Sequence, residues 1–220
     1  MKTKRATITF DNGPDPQVTP AVLDVLARRG IRAHFFVLGK QIADAPGRAL
    51  VARAVAEGHL VGNHSFTHAV PLGEDPRPAA EAVEAEIAAT DALLAPLVPE
   101  PKRFRPFGGG GVLGRHLLSR AAVDHLVAHR YSCVLWNSVP RDWVDPDGWA
   151  ERALADCLAQ EHAVVVLHDI QGACLERLDD FLEVCAHERI ELVTDLPPDV
   201  VPIRDGLAVG DLDPIVAAAV

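Results

Sequence analysis

Side chains that could do chemistry follow most of the strand-like segments of this chain, at the point where each segment ends. They are Asp11, Asn12, His64, His68, Arg105, Asn137, Asp142, His168 and Asp169. The carboxyl ends of parallel strands share one face of a β/α fold, and the loops on that face build the active site. We therefore expect these side chains to surround one cavity that offers carboxylates and imidazoles for acid–base catalysis.

His64 and His68 are the candidate metal ligands. Their H-x-x-x-H spacing places two imidazoles on one side of a helical turn. Two histidines with one oxygen form a normal catalytic zinc site with an open position for water. The chain has 10 histidines, so such a pair also arises by chance. The polar, glycine-bearing stretch GNHSFTH after a strand favours the metal interpretation.

The turn Asn12-Gly13-Pro14 ends the first strand and decides which side chains can enter the cavity. Adjacent residues of a strand face opposite sides of the sheet. Asp11 and Asn12 can therefore reach the same cavity only where the strand has given way to this turn.

Alternating strands and helices must position these groups. Short apolar runs predict strands over 5–10, 31–38, 59–63, 102–107, 131–136, 163–168 and 190–194. Amphipathic spacing predicts helices over 47–57, 78–95, 114–129, 147–160 and 175–188, and a first helix that Thr19 caps and Gly30 ends. About seven such units imply a mainly parallel sheet. The first strand is not followed by a Gly-x-Gly-x-x-Gly fingerprint, which favours a barrel over a dinucleotide-binding fold.

The composition is that of a globular domain of 220 residues, with a net charge of −10 and a pI near 5.4. The acidic balance argues against nucleic acid or an anionic membrane as partner, because no basic run could neutralise phosphates. The N-terminal sequence MKTKRATITF lacks the apolar stretch of a signal peptide. No apolar run approaches the ~20 residues of a membrane span.

The cysteines and the end of the chain complete the expected organisation. Cys133, Cys157, Cys174 and Cys185 form no CxxC pair, which indicates buried, reduced thiols and favours a cytoplasmic location. We predict a catalytic domain over 1–196 and a peripheral tail over 197–220, where Pro197-Pro198 interrupts the pattern. The sequence does not indicate an oligomeric state.

Five segments together resemble the motifs of the polysaccharide deacetylases, carbohydrate esterase family four. TFDNGP (9–14) resembles the Thr-Phe-Asp-Asp-Gly-Pro signature of that family. HSFTH (64–68) resembles its H-[ST]-x-x-H motif, and RPFG (105–108) its Arg-Pro-Pro-Tyr/Phe motif. RDW (141–143) resembles its Asp-Trp motif, and VLHD (166–169) its Leu-x-His motif. The matches follow the family's order and span nearly the whole chain.

The resemblance implies a distorted (β/α)7 barrel and a role for each matching residue. Asp11 would be the general base, oriented by Arg105, and His168 the general acid, held in its charged form by Asp142. The implied metal ligands are Asn12, His64 and His68, and the implied substrate-binding residues are Phe107, Gly108, Trp143 and Leu167. The implied cofactor is a divalent metal, with zinc as the expected ion.

Position 12 departs from the family pattern, which has an aspartate there. The amide oxygen of Asn12 can coordinate a metal but brings no charge to offset a dication, so we expect weaker binding. Three interpretations stay open: Asn12 is a working but weaker ligand, the activity is metal-free or negligible, or another oxygen such as that of Asp15 takes over. An engineered Asp-to-Asn change also fits the sequence.

The segments expected around the substrate depart as well. One proline follows Arg105 where the family has two, and the glycine run 108–111 comes next. Glycines permit positive φ and close approach of a ligand to the backbone, so this run is a reshaped substrate wall, an oxyanion contact or a flexible turn. The stretch Trp136-Asn137-Ser138 lacks the acidic residue often found there, so polymer specificity stays open.

The sequence therefore predicts a hydrolase that removes an acyl group, expected to be acetyl, from an amino sugar or a small amide. We expect a small-molecule or oligosaccharide substrate, because an export signal for work on cell-wall polymer is lacking. One rival is a metal-free amide or ureide hydrolase on the same fold, and another is a carbohydrate-binding relative that has lost turnover. Asp11, Arg105, Asp142 and His168 favour an enzyme, since binding alone does not require an acid–base set.

Overall fold

A computed structural model describes residues 3–218. The strands are β1 (Arg5–Asp11), β2 (His34–Val37), β3 (Leu60–Asn63), β4 (Arg103–Phe104), β5 (Ser132–Cys133), β6 (His162–His168), β7 (Glu191–Leu192), β8 (Ile203–Arg204) and β9 (Leu207–Ala208). The helices are α1 (Val18–Arg29), α2 (Ala45–Ala56), α3 (Ala79–Val83), α4 (Ala89–Leu94), α5 (Arg120–Ala128), α6 (Trp149–Ala159) and α7 (Leu175–His187). A π-helical segment, Glu84–Ala88, joins α3 to α4.

The predicted alternation of strands and helices is confirmed, although several elements are shorter than predicted. The helix predicted over 114–129 begins at Arg120, because the Ser119 side chain caps it by accepting a hydrogen bond from a first-turn amide. The first helix ends at Gly30 in the left-handed conformation, as predicted. The strands predicted over 102–107 and 131–136 each have two residues in the sheet.

The predicted role of Thr19 as a helix cap is wrong. The carboxylate of Asp15 accepts the hydrogen bonds of the Gln17 and Val18 amides, so the start of α1 is already satisfied. The hydroxyl of Thr19 instead accepts a hydrogen bond from the Asp15 amide (2.8 Å) and donates one to Asp169 Oδ2 (2.5 Å). Thr19 therefore ties α1 to the end of β6.

Within residues 3–218, seven strands run parallel in a curled sheet with the neighbour order β6-β1-β2-β3-β4-β5. β7 pairs with the beginning of β1, at Arg5 and Ala6, whereas β2 pairs with its end. An isolated bridge between Ser138 and Val165 links the segment after β5 back to β6. The sheet thus curls into a distorted barrel that closes through this bridge, consistent with the predicted α/β barrel.

The strand register brings the predicted site residues to one edge of the sheet. Asp11, the last residue of β1, lies opposite His168, the last residue of β6. Asn63, the last residue of β3, lies opposite Phe104 of β4. The residues that follow, His64 and Arg105, consequently leave the sheet side by side.

Strand β6 separates two hydrophobic clusters. Val165 and Leu167 belong to a cluster that packs β1 against α1, α6 and α7. Val164 and Val166 belong to a second cluster, together with Phe104 and other residues of the opposite half of the barrel. Successive side chains of a strand point to opposite faces, so one face of β6 packs into the first cluster and the other face into the second.

Two strands within 197–220, for which the sequence predicts a peripheral tail, extend the sheet. β8 pairs with β5 in antiparallel fashion, and β9 pairs with β8. Val201, Ile203 and Val216 are buried and contribute to the second cluster. The sequence analysis did not predict β8 and β9, and the domain boundary at residue 196 stays a prediction.

Two further expectations concern the whole molecule. All four cysteines are free and buried, as predicted. In the part of the chain that the structure describes, no helix combines the length and apolarity needed to cross a bilayer.

Candidate active site

A cavity of about 280 Å³ opens at the carboxyl edge of the parallel strands. Eight of the predicted site residues line it: Asp11, Asn12, His64, His68, Phe107, Gly108, Trp143 and His168. Arg105 and Asp142 are fully buried and contact the lining residues from behind. The structure therefore brings the predicted acid–base and metal-binding groups together around one space.

Asp11 is oriented by Arg105. The guanidinium Nη1 donates hydrogen bonds to Asp11 Oδ1 (2.8 Å) and to the Thr9 hydroxyl (2.6 Å). Its other nitrogens donate to the backbone carbonyls of Val134 (3.3 Å) and Leu135 (3.2 Å), so the buried arginine is held on several sides. The pair compensates the buried charge of each partner and leaves the second oxygen of Asp11 without a bond to Arg105.

His168 is oriented by Asp142 in a similar way. Asp142 Oδ1 accepts a hydrogen bond from His168 Nδ1 (2.8 Å), and Oδ2 accepts one from the His168 amide (2.8 Å). Burial opposes protonation of His168, but the hydrogen bond and charge of Asp142 outweigh it and raise the pKa of the imidazole. The proton on Nδ1 points at Asp142, so Nε2 is the nitrogen available for proton transfer to a substrate.

The imidazoles of His64 and His68 are neutral and close together, with ring centroids 4.8 Å apart. His64 Nδ1 lies 2.8 Å from the carbonyl oxygen of Arg105, which can only accept, so Nδ1 carries the proton. Its unprotonated Nε2 lies 3.6 Å from Asp11 Oδ2, which is also an acceptor. Burial lowers the pKa of His64, and burial together with His64 lowers that of His68 to about 2.

Asn12 lines the same cavity and has an unpartnered side-chain oxygen. Its backbone φ is 74°, in the left-handed region that asparagine adopts more readily than most residues. The turn thereby directs both Asp11 and Asn12 at the cavity, as the sequence predicts. Asn12 Oδ1 is buried and has no hydrogen-bond partner within residues 3–218, which is costly for a polar atom that stays unpaired.

This donor set fits a divalent metal, although weakly. The cavity is lined by the neutral imidazoles of His64 and His68 and by Asn12, whose amide oxygen is unpartnered. Two acceptors, His64 Nε2 and Asp11 Oδ2, face each other. Among the described residues, no three His, Cys, Asp or Glu side chains form a ligand group. The alternative donor, Asp15, is engaged in capping α1.

The glycine run 108–111 forms a packed wall of the cavity. A Cβ on Gly108 would lie 2.6 Å from the indole of Trp136, and one on Gly111 would lie 2.7 Å from Val139. Trp136 Nε1 also donates a hydrogen bond to the carbonyl oxygen of Gly111 (2.8 Å). Gly108 and Gly111 are thus packed closely beside the cavity, and whether the run contacts a substrate stays a prediction.

The predicted substrate contact of Leu167 is wrong. Leu167 is buried in the cluster that packs β1 against α1, α6 and α7, on the face of β6 that points away from the cavity. Val166 lines the cavity in its place. Side chains alternate along a strand, so a cavity-facing His168 places residue 166 on its own side. This signal was available in the sequence and identifies Val166; Ile170, which follows the end of β6, also lines the cavity.

The sequence analysis missed several other lining residues or left their roles open. Besides Val166 and Ile170, they are Pro106, Gly109, Gly110, Gly111, Trp136 and Val139. Apart from the candidate catalytic and metal-binding groups, the side chains that line the cavity are almost entirely apolar.

Asn137 and Asp169 follow strands but serve the framework. Asn137 accepts a hydrogen bond from the Val164 amide (2.6 Å) and donates one to the carbonyl of His162 (3.0 Å). Asp169 packs against Gly13, where a Cβ would lie 2.1 Å from its carboxylate. Burial raises the pKa of Asp169 to about 7. Both side chains stabilise the loops behind the cavity.

Comparisons with known proteins find deacetylases among the similar proteins. The sequence model described as polysaccharide deacetylase matches residues 1–121. A chitooligosaccharide deacetylase of Rhizobium leguminosarum bv. trifolii is 37% identical over 168 residues, which cover 74% of this chain and 70% of that protein. The peptidoglycan-N-acetylglucosamine deacetylase PgdA of Listeria monocytogenes is 31% identical over 193 residues, 87% of this chain but 38% of that protein. A solved T48 deacetylase with substrate superposes with a TM-score of 0.70 at 28% identity and covers 99% of this chain and 97% of its own.

Proposed function

The chain belongs to the polysaccharide deacetylase family, and on that premise we propose that it removes the acetyl group from an N-acetylated amino sugar. One observation carries the proposal. Asp11 and His168 end two neighbouring strands in register and line the same cavity, each held from behind by a buried partner of opposite charge. A carboxylate and an imidazolium in this arrangement supply the base and the acid that amide hydrolysis requires.

Asp11 acts as the general base. Its Oδ1 is occupied by Arg105, and its Oδ2 remains to accept a proton from an attacking water. Because Arg105 is fully buried and bonded on several sides, the carboxylate has a fixed orientation. The positive charge of Arg105 compensates the buried negative charge of this carboxylate.

His168 acts as the general acid that protonates the departing amine. Asp142 raises the pKa of its imidazole and therefore favours the charged form. Amines are poor leaving groups unless they are protonated, so the reaction needs a proton donor beside the nitrogen of the scissile bond. Trp143, whose ring lies edge-on 4.6 Å from the His168 ring, restricts its movement.

The family is generally dependent on a divalent metal. His64, His68 and Asn12 would hold it here, and zinc suits two imidazoles and one oxygen. Such an ion supplies Lewis-acid polarisation of the amide carbonyl and stabilises the negative charge that develops on it. Asn12 keeps this site short of one negative charge, so we propose that the metal binds more weakly than to two histidines and a carboxylate.

The cavity indicates which substrates are suitable. A volume of about 280 Å³ lies near the lower end of small-molecule sites and suits one sugar ring with its acetamido group. The curated relatives act, by their names, on chitooligosaccharides and on peptidoglycan N-acetylglucosamine. We propose a short N-acetylated oligosaccharide or a single amino sugar as the substrate. The free, buried cysteines support a reducing, cytoplasmic location.

Asn12 also favours a second candidate, a metal-independent amide or ureide hydrolase that uses the same acid and base. The two candidates differ in their response to metal. The purified protein should release acetate from N-acetylated chitooligosaccharides when zinc is added and should lose that activity with a chelator. Activity that survives complete metal removal would support the second candidate. Absence of acetate release with every added divalent metal would contradict the proposed deacetylase.

A further inference from the structure

The loop that carries both candidate metal-binding histidines has an unusual backbone. Ser65 has a φ of 68° and His68 a φ of 56°, and both lie in the left-handed region. Non-glycine residues are seldom found there, because Cβ crowds the neighbouring backbone. A loop with two such residues keeps its conformation only if the surrounding structure holds it.

Glu86 supplies that support. Its carboxylate is 3% exposed and accepts three hydrogen bonds from the residues between the two histidines. Oε2 accepts from the amides of Phe66 (3.1 Å) and Thr67 (2.8 Å), and Oε1 accepts from the Thr67 hydroxyl (2.8 Å). One buried side chain therefore satisfies every polar hydrogen of the Phe66-Thr67 pair.

The charge of Glu86 is compensated by Arg77. Arg77 Nη2 lies 2.9 Å from Glu86 Oε1 and also pairs with Asp75. Burial opposes ionisation of Glu86, but the hydrogen bonds of Thr67 and Arg77 outweigh it and lower the pKa of the carboxyl. Glu86 is consequently a carboxylate at neutral pH, and charged acceptors make stronger hydrogen bonds than neutral ones.

The helix geometry places Glu86 where the loop needs it. It lies in the π-helical segment Glu84–Ala88, and such insertions into α-helices often occur at functional sites. The same segment holds the residue before the loop, because Asn63 Nδ2 donates to the carbonyl of Ile87 (2.9 Å). Asn63 Oδ1 in turn accepts from the Ser65 amide (2.9 Å). The π segment thus anchors the loop at its beginning and at its centre.

We propose that Glu86 is a positioning residue that fixes the His64–His68 loop, so that both imidazoles face one metal position before a metal arrives. The proposal rests on the proposed function in so far as it assumes that these imidazoles bind the metal. Residues that orient metal ligands from behind contribute about 10- to 100-fold to metal affinity. Glu86 reaches the ligands through the backbone between them and does not itself line the cavity.

Zinc binding to the metal-free protein tests this proposal without using the reaction. We expect Glu86→Ala to weaken zinc binding, measured by titration calorimetry, by about 10- to 100-fold. Glu86→Gln keeps the shape and one acceptor oxygen, so its loss should be smaller, and it provides a folded variant if the alanine variant is unstable. Glu84→Gln removes an exposed carboxylate of the same π segment and should change nothing. Zinc affinities of both Glu86 variants within twofold of the unchanged protein would overturn the proposal.

Hydrogen exchange of the Phe66 and Thr67 amides in the metal-free protein gives a second readout. We expect faster exchange at these amides in Glu86→Gln and unchanged exchange in Glu84→Gln, with similar melting temperatures for both. Unchanged protection in Glu86→Gln would contradict the positioning role even if the unchanged protein bound no zinc. Failure of that protein to bind zinc would instead contradict the proposed metal site.

Discussion

Asp11 and His168 form the acid–base side of the cavity, and Asn12, His64 and His68 form its donor side. The two sides differ in how many of their polar atoms have a hydrogen-bond partner in the protein. On the acid–base side, Asp11 is bonded to Arg105, and His168 is bonded twice to Asp142. On the donor side, Asn12 Oδ1 has no partner within the described residues, and His64 Nε2 faces another acceptor. Each group of the acid–base side has a buried partner that orients it, whereas the donor side offers lone pairs that a cation would satisfy.

This difference shows where the protein itself determines catalysis and where it depends on a partner. Buried ion pairs orient the base and the acid in advance, which removes the cost of reorganisation during the reaction. The donor side is oriented from behind, by Glu86 and Asn63, but its inward-facing atoms remain free. Substitutions on the acid–base side should therefore change the reaction rate and its pH dependence, and substitutions on the donor side should change metal affinity.

Removal of the base should have the largest effect. We expect Asp11→Asn to lower kcat for acetate release by about 10²- to 10⁴-fold, because the amide cannot accept the proton of water. Zinc should still bind, since His64, His68 and Asn12 are unchanged. The buried Arg105 would lose its charged partner, so the rate must be measured on protein shown to be folded. A rate within tenfold of the unchanged enzyme would exclude Asp11 as the base.

Asp142→Asn should have the next largest effect, on the order of 100-fold in kcat. Asp142 raises the pKa of His168, and the acid must be protonated, so activity is lost as the pH rises through that pKa. Without the carboxylate the pKa falls, and the alkaline limb of the pH–rate profile should move to lower pH. Asp147→Asn, an exposed change in the same loop, is the control. An unmoved alkaline limb would contradict the assignment of His168 as the acid.

Asn12→Asp should strengthen metal binding on the donor side. An added unit charge next to a dication is worth several kcal/mol at an effective dielectric of about 20, so zinc affinity should rise at least about tenfold. The rate at limiting zinc should rise with it. Asp15→Asn is the matched test of the alternative donor and should leave zinc affinity unchanged. If Asn12→Asp leaves it unchanged as well, Asn12 is not a ligand.

The sequence predicted the composition of the site better than its supporting structure. Parallel strands end at one edge, so the order of strands and polar residues suffices to bring Asp11, His64, Arg105 and His168 together. Glu86 could not be singled out, because it lies in a helix that also contains Glu81 and Glu84. Only the packing against the His64–His68 loop shows which of these carboxylates is buried.

The C-terminal strands β8 and β9 and the cap of α1 could not be predicted from the sequence pattern either. β8 and β9 have two residues each, too few for a periodicity to be recognised. Their position depends on pairing with β5, which lies about 70 residues earlier in the chain, and such long-range contacts leave no local signal. The helix cap was misassigned for a related reason, since the hydroxyl of Thr19 is committed to Asp169, 150 residues away.

The smallest effect on the reaction is expected for Leu167, although it stands beside the acid in sequence. Leu167→Ala leaves a void in the cluster between β1 and the helices α1, α6 and α7, so the free energy of unfolding should fall by about 2–5 kcal/mol. KM should stay within twofold, because the side chain faces away from the cavity. Val166→Ala shortens a cavity-lining side chain and should change KM while costing less stability. Denaturant unfolding and steady-state kinetics on both variants separate the two faces of β6, and a large rise in KM for Leu167→Ala would restore Leu167 as a substrate contact.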